Sequence, residues 1–375
     1  MRADLNVPMD SGVVTDDTRI RESLPTLSYL LERGAKVIIC SHLGRPKGVD
    51  AAFSLAPVAG RLGNLLGREV FFVDDCVGPV AEAAVRATDG RFPVLLENLR
   101  FYPEEEANDK GFAGQLASLA DVYVNDAFGS AHRAHASTEG VTHFLPAVAG
   151  LLMEKEVRYL SALVANPPKP FAAVVGGAKV STKIAAIEHL LPKLDMLFLG
   201  GGMANTFLKA TGVNVQASLV EDEQVETAKR IIAEAKFAGV ATYLPVDVVA
   251  ADKFAADATA VTVPANAVPA GDMILDIGPE SVANYAAALA TAKAVVWNGP
   301  MGVFEMEKFA EGSLGLARAI AGLDAVTVVG GGETAAVVGL SGMTARFTHV
   351  STGGGASLEM LEGRVLPGVA ALLDA

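Results

Sequence analysis

The sequence predicts an α/β protein built as two doubly wound parallel-sheet domains. Short apolar runs alternate with amphipathic stretches along the whole chain, the pattern of strand–helix–strand units. The runs number about a dozen, more than one ordinary doubly wound sheet holds. The residues that follow each run also divide the chain. They are polar and cationic in the first half and mostly glycine in the second.

In chain order, the strand candidates of the first half are AKVIIC (35–40), EVFFV (69–73), FPVLLE (92–97) and DVYVND (121–126). MEKEVRYLSALVANPPKP (153–170) then reads as a helix ended by a proline cluster, and is the expected connector between domains. The second half supplies FAAVV (171–175), DMLFL (195–199), TYLPV (242–246), MILDI (273–277), AVVWN (294–298), AVTVV (325–329) and FTHV (347–350). Between them lie helical patterns such as EDEQVETAKRIIAEAKFAG (221–239). EGRVLPGVAALLDA (362–375) follows the last glycine turn and leaves no room for another strand–helix unit.

The 375 residues suffice for two domains with sizeable cores, and 51% hydrophobic against 19% charged residues fits close packing. A formal net charge of −13 argues against nucleic acid or an anionic membrane as partner. Any anionic small substrate must then be held by a local basic cluster. Cys40 and Cys76 both sit in or beside apolar runs, so no disulfide framework is expected and a reducing cytosol is the default. Neither a secretory signal nor a membrane-spanning run stands out; LPAVAGLLM (145–153) is too short to span a bilayer.

Open parallel sheets bind ligands beyond the carboxyl ends of their strands. In the second half those ends carry GG (176–177), GGG (200–202), GP (278–279), NGP (298–300), GGG (330–332) and GGG (353–355). Glycine there lets a backbone approach a phosphate chain or a flat base. In the first half the ends carry RADLN (2–6), SHLGR (41–45), ENLR (97–100) and NDAFGSAHRAH (125–135). Arginine forks bind carboxylate and phosphate oxygens. One half thus suits a nucleotide read by backbone, the other a small polyanion read by side chains. A single strand-end GG is usually only a tight turn and a lone surface Arg only solvated; the recurrence at equivalent positions is what carries weight. His132 and His135, three apart, would also suit a metal, but no Cys or third His lies nearby. No strong Ser-His-Asp or Cys-His constellation is found, and no G-x-G-x-x-G opens a helix, which disfavours a nicotinamide dehydrogenase.

VVGGAKVSTK (174–183) approaches a P-loop but breaks its G-x-x-x-x-G-K-[ST] spacing. Its two lysines, four apart, are expected on one face of the following helix, Lys179 at the helix start and Lys183 one turn further on.

Ten blocks in collinear order closely resemble phosphoglycerate kinases. They are RADLNVP (2–8), TRIRESLPTLSYLLERGAKVIICSHLGRP (18–46), LLENLRF (95–101), NDAFGSAHRAHAS (125–137), VVGGAKVSTK (174–183), FLGGGMANTF (198–207), DIGPES (276–281), VVWNGPMGVFE (295–305), VVGGGET (328–334) and HVSTGGGASLEMLEGRVLPGV (349–369). The resemblance implies two Rossmann-like lobes joined by a helical hinge. It implies reversible transfer of the acyl phosphate of 1,3-bisphosphoglycerate to MgADP, giving 3-phosphoglycerate and MgATP. Residues 1–152 would bind the glycerate, 153–170 connect, 171–362 bind the nucleotide, and 363–375 return to the first lobe. A cytoplasmic monomer is expected.

By the same resemblance, Asp4 and Asn6 would contact the glycerate, with His42, Arg45, Arg100, His132 and Arg133 lining its basic pocket. Arg19 would also reach the transferring phosphoryl group, and Lys179 would stabilise it from the other side. Lys183 would bind nucleotide phosphate, with Gly200, Gly201 and Gly202 at the adenine. Asn298 and Glu305 would lie along the nucleotide, Glu305 on the ribose. Gly330, Gly331, Gly332, Glu333 and Thr334 would sit beside phosphates and Mg²⁺, with Gly353 and Gly354 close by. Glu333 stands where the family often has Asp, which favours water-mediated over direct Mg²⁺ contact. Family members usually begin with a further strand upstream of R-A-D-L-N. A start assigned too far downstream is the favoured explanation, beside deliberate shortening or a naturally shortened chain. The alternatives to the kinase are a degenerate homologue that binds nucleotide or a partner without turnover, and a kinase for another carboxylate.

Overall fold

The computed structural model describes residues 1–372 and divides into two compact units. One is Met1–Arg158 with the segment from Val365 onward; the other is Tyr159–Arg364. The division falls inside the helix Leu151–Ala165, which starts two residues before the expected connector and stops ahead of Pro167 and Pro168. Among the described residues no helix is long and apolar enough to cross a membrane.

The second unit is built on a six-stranded sheet. Its spatial order is Ala241–Tyr243, Met196–Leu199, Phe171–Val175, Ala294–Asn298, Val326–Gly330 and His349–Val350. Every pairing is parallel. The chain starts at Phe171–Val175, winds outward to one edge, then returns beside its starting strand at Ala294–Asn298. The two central strands therefore flank a switch point, the place beside which open parallel sheets bind their ligands. Phe171–Val175 and Ala294–Asn298 are buried at every position, as continuous apolar strands covered on both faces must be. Trp297 and Tyr285 anchor the core, and each satisfies its polar end internally. Trp297 Nε1 donates to Gly299 O at 2.8 Å and Tyr285 OH to Leu199 O at 2.7 Å.

MILDI departs from the expected parallel arrangement. Met273–Ile277 pairs antiparallel with Asp247–Ala251, which pairs antiparallel with Ala260–Pro264. Those two partners carry no helical segment between them, so a hairpin is the only short connection available. Its edge strand is largely exposed, which weakens the apolar signal in the sequence. The Asp247 carboxylate accepts from the backbone of Glu280 and Ser281 at 3.0 and 2.7 Å, fixing the start of the helix Pro279–Leu289.

In the first unit, Ile38–Ile39, Val94–Leu96 and Phe71–Val73 form one parallel sheet and Tyr123–Asn125 with Ala147–Ala149 another. Arg2 bridges them, pairing parallel with both Cys40 and Asn125. Helices Thr18–Glu32, Ala56–Leu66, Gly78–Ala87 and Lys110–Ala117 flank these strands. The apolar residues separate into one cluster around Leu5, Ile20, Leu27 and Leu62 and another around Val73, Leu96, Leu99 and Phe112. The late segment seats on this unit as well. Gly368 N donates to Ala131 O at 2.8 Å and Asn125 Nδ2 donates to Gly368 O at 3.2 Å. A Cβ at Gly368 would stand 3.0 Å from Ala131 Cα, so only glycine fits without displacement.

Candidate functional site

The first unit gathers its polar groups at the strand ends. Arg19, on the first turn of its helix, donates from one nitrogen to both Asp4 carboxylate oxygens at 3.0 Å. Asn6 Oδ1 accepts from Gly44 N at 2.8 Å, and Gly44 O accepts from Arg100 at 2.8 Å. The Glu106 carboxylate lies 3.2 Å from Arg100 Nε. Arg133 Nε donates to His132 Nε2 at 3.2 Å. Arg45 is exposed and makes no hydrogen bond or ion pair among the described residues.

Beneath them runs a buried network that sequence reasoning left unassigned. Arg2 is 1% exposed and its guanidinium lies 2.8 Å from His42 Nδ1. Arg2 Nε donates to Ser137 Oγ at 2.9 Å, and Ser137 N donates to the buried Glu105 carboxylate at 2.9 Å. Arg2 stands in the quoted RADLN block, so its charge was visible in the sequence. Its direction was not, because a strand hides which face a residue takes until register is known.

Burial pushes the His42 imidazole well below its ordinary pKa, helped by the charges of Arg2, Arg100 and Arg19. His42 therefore offers a neutral ring rather than another cation. His135 is pushed down to about 4 by burial and by Arg100, Arg2 and Arg133. These couplings bring Asp4, Asn6, Arg19, His42, Arg100, His132 and Arg133 into one cationic region, with Arg45 the member left outside the contacts.

The second unit has a cleft of about 410 Å³. Of the expected residues, Gly201, Gly202, Glu305 and Glu333 line it. Leu219, Phe254, Met273 and Val303 supply apolar walls that the sequence did not disclose, since they come from loops and strand ends far apart in the chain. A flat aromatic base suits such walls. Lys183 Nζ donates to Asn298 Oδ1, while Asn298 Nδ2 is buried without a partner. Gly330 and Gly331 press on that nitrogen: a Cβ on either would come within 3.2 and 3.3 Å of it. Thr334 is fully buried and its hydroxyl accepts from Gly299 N at 2.6 Å. Glu333 is exposed on the first turn of the helix Gly332–Leu340. Burial lowers the Lys183 pKa, opposed by the charges of Glu333 and Glu362. Gly353 N donates to Ser351 Oγ at 3.0 Å, and Gly354 is the left-handed cap of the helix Gly355–Leu361.

The glycines have a second task beyond clearance for a ligand. A Cβ on Gly176 would meet Pro300 O at 2.2 Å, and one on Gly299 would meet Gly176 O at 2.2 Å. One on Gly201, at φ +65°, would meet Gly177 and Pro300 backbone at 2.7 Å. Gly200 packs against the Met301 side chain. Three strand-end loops thus interlock through backbone alone, with Gly177 N donating to Pro300 O at 2.8 Å and Gly201 N to Met301 O at 2.9 Å.

The expected helical placement of the two lysines is corrected. The helix begins at Ile184, with Lys183 as its N-cap and Lys179 four residues earlier in an irregular loop. The reason is a contact distant in the chain. Ser181 is drawn away to the Glu221 carboxylate, through its backbone N at 3.0 Å and its hydroxyl at 2.5 Å, so no helical turn forms across 178–182. Lys179 is exposed and unpaired among the described residues.

No group of three or more His, Cys, Asp or Glu side chains could hold a metal among the described residues. That fits a Mg²⁺ ion bound mostly by substrate phosphates and water, with one or two carboxylates contributed by protein. Glu333, and the partnerless Asn298 Nδ2 as a donor to phosphate oxygen, match such a site.

The family model for phosphoglycerate kinase matches residues 1–364. The chain is 59% identical over 375 residues to phosphoglycerate kinase of Moorella thermoacetica, covering 100% of this chain and 95% of that one. It is 59% identical over 380 residues to the cytosolic phosphoglycerate kinase of Triticum aestivum, again covering 100% and 95%. Among solved structures, phosphoglycerate kinase of Coxiella burnetii superposes with a TM-score of 0.88 at 44% identity, covering 100% of this chain and 95% of that one. The enzyme of Pyrococcus horikoshii gives 0.88 at 34% identity, covering 99% and 94%. With its doubly wound sheet, cationic strand ends and glycine-built cleft, the chain belongs to the phosphoglycerate kinase family.

Proposed function

We propose that the groups described above carry out the family's reaction, the reversible transfer of the acyl phosphate of 1,3-bisphosphoglycerate to MgADP. The observation that carries the assignment of residues is the division of labour between the units, a side-chain cation cluster in one and a cleft of glycine backbone and apolar side chains in the other.

In the reverse direction the nucleophile is the carboxylate of 3-phosphoglycerate. With an ordinary pKa of about 3.5–4 it is already ionised at neutral pH. No general base is required, and the neutral His42 is consistent with a binding role. Catalysis then rests on alignment and on neutralising the equatorial phosphoryl oxygens. Arg100, His132 and Arg133 hold the glycerate anion, with Asn6 fixing the Gly44 backbone that Arg100 grips. Arg45, exposed beside Gly44, is a further anion contact. Arg19 serves the transferring group, for which it must exchange part of its pairing with Asp4. Lys179, whose side chain makes no hydrogen bond or ion pair among the described residues, serves the same group.

Lys183 and Asn298 bind nucleotide phosphate, Glu305 the ribose, and Gly201 and Gly202 the base. Gly330 to Thr334 lie at the phosphates, followed by Gly353 and Gly354. Bound Mg²⁺ supplies charge neutralisation between the nucleotide phosphates, with Glu333 as its carboxylate. The protein works as a monomer in the cytosol, without nucleic acid or membrane. The two-domain reading with a connecting helix at 153–170 and a returning tail belongs to the same proposal.

A coupled assay with 3-phosphoglycerate and MgATP tests the reading. ADP must form only when the glycerate is present. Turnover of a different carboxylate in its place, or nucleotide binding without turnover, would overturn it.

A further inference from the structure

Lys179 sits on a loop without regular structure, and the Glu221 side chain from outside that loop grips it two residues after the lysine. The Glu221 carboxylate accepts from Ser181 N at 3.0 Å and from Ser181 Oγ at 2.5 Å. The neighbouring Val180 backbone N–H further favours its charged form. The loop closes on itself around these contacts: Thr182 Oγ1 donates to Lys179 O at 3.0 Å and Lys183 N to Val180 O at 2.8 Å.

Glu221 is in turn held from behind. Its backbone N donates to Thr206 Oγ1 at 3.1 Å, and Asn205 Nδ2 donates to Leu219 O at 3.2 Å. Thr206 and Asn205 are each 1% exposed and belong to the helix Gly201–Ala210, whose first residues line the cleft. Leu219, two residues before Glu221, lines the cleft as well. Gly177 at the start of the loop is held by backbone bonds to Pro300 and Met203 and Val180 is buried, so the Glu221 carboxylate is the side-chain tie between the Lys179 segment and the cleft wall rather than its sole anchor.

We infer that Glu221 is a positioning residue for phosphoryl transfer, holding the Lys179 loop in register with the nucleotide cleft. The inference rests on the transfer role proposed for Lys179. Burial works against the Glu221 charge, but the Ser181 hydrogen bonds, the Val180 N–H and the nearby Lys179 ammonium outweigh it and keep the carboxyl below its ordinary pKa. The latch is therefore charged at neutral pH. Misplacement of a group by about 1 Å is enough to cost about 100-fold in rate.

The test is steady-state kinetics on Glu221→Ala, Glu221→Gln and Ser181→Ala, each alone and in a Lys179→Ala background. Glu221→Ala should lower kcat about 10- to 100-fold while KM for MgATP stays within about threefold. Glu221→Gln, which keeps an acceptor oxygen, and Ser181→Ala, which keeps the backbone donor, should fall between it and the parent. In the Lys179→Ala background Glu221→Ala should cause no further loss, because a group acting through Lys179 has nothing left to position. Equal losses in both backgrounds, or a rise in KM matching the fall in kcat, would make Glu221 a structural residue only and overturn the inference. If Lys179→Ala alone retains full kcat, the transfer role of Lys179 fails. If Lys179→Ala is impaired and Glu221→Ala is not, only the latch fails.

Discussion

The two candidate sites prepare for an anion in opposite ways. In the first unit the binding groups are side chains already committed to one another: Arg19 to Asp4, Arg100 to Gly44 O, Arg133 to His132. A ligand there must replace existing partners, and each contact is a separable unit. In the second unit the strand-end loops beside the apolar walls are locked through backbone at Gly176, Gly201 and Gly299, which leave no room for a Cβ. That geometry exists before a ligand arrives and cannot be altered one residue at a time. Side-chain sites give graded losses; interlocked backbone gives collective ones.

The largest expected effect probes a side chain on the glycine-rich side. Lys179→Ala should lower kcat by about 100- to 1000-fold, the usual cost of removing one transition-state donor. Nucleotide KM should change little, and a parallel rise in KM would reduce Lys179 to a ground-state contact. Next, Arg100→Ala should weaken 3-phosphoglycerate binding by about 10- to 100-fold, matching about 1.5–3 kcal/mol for a charged hydrogen bond. Calorimetric titration with ADP should be unchanged; the opposite pattern would break the division between the sites.

Gly201→Ala tests the interlock. It should destabilise the second unit by about 1–3 kcal/mol through overpacking, visible in thermal unfolding, and weaken nucleotide binding while sparing glycerate. A neutral outcome would mean the loops give way easily.

The smallest effect is the pH dependence that the buried histidines of the first unit contribute. His135 titrates at about 4 in the folded state and at about 6.5 unfolded. Between those values the unfolded chain binds more protons, so stability falls as pH drops through that window. The buried His42 adds in the same direction. His135→Gln should flatten the slope of melting temperature against pH between about 4 and about 6.5; an unchanged slope would place the dependence elsewhere.

The α/β class and the eleven apolar strand candidates were legible because buried strands are continuous apolar runs, although the antiparallel pairing of MILDI was not. Ala260–Pro264 was not, since its exposed edge mixes alanine, threonine and proline into a run that reads as loop, and the buried central strand Asp247–Ala251 follows directly on TYLPV and was not separated from it. At the sites, residue types were legible and their partners were not. Nothing local distinguishes Arg2, buried under the cation cluster, from an exposed arginine. The helix start at Ile184 depends on Glu221, 37 positions beyond it, and spacing rules see only near neighbours. The apolar cleft walls at Leu219, Phe254 and Met273 converge only after the antiparallel sheet forms.

The seating of Gly368 on Ala131 has a consequence for how the protein is made. Residues 1–158 leave the ribosome first, yet their contacts with the segment beyond Val365 must wait until Tyr159–Arg364 has been synthesised in between. At about 5–20 residues per second, that is an interval of roughly 10–40 s. The last-made unit in sequence can therefore be the first to have all its own parts, and the earliest-made unit spends the whole of that time with its Asn125 and Ala131 partners missing.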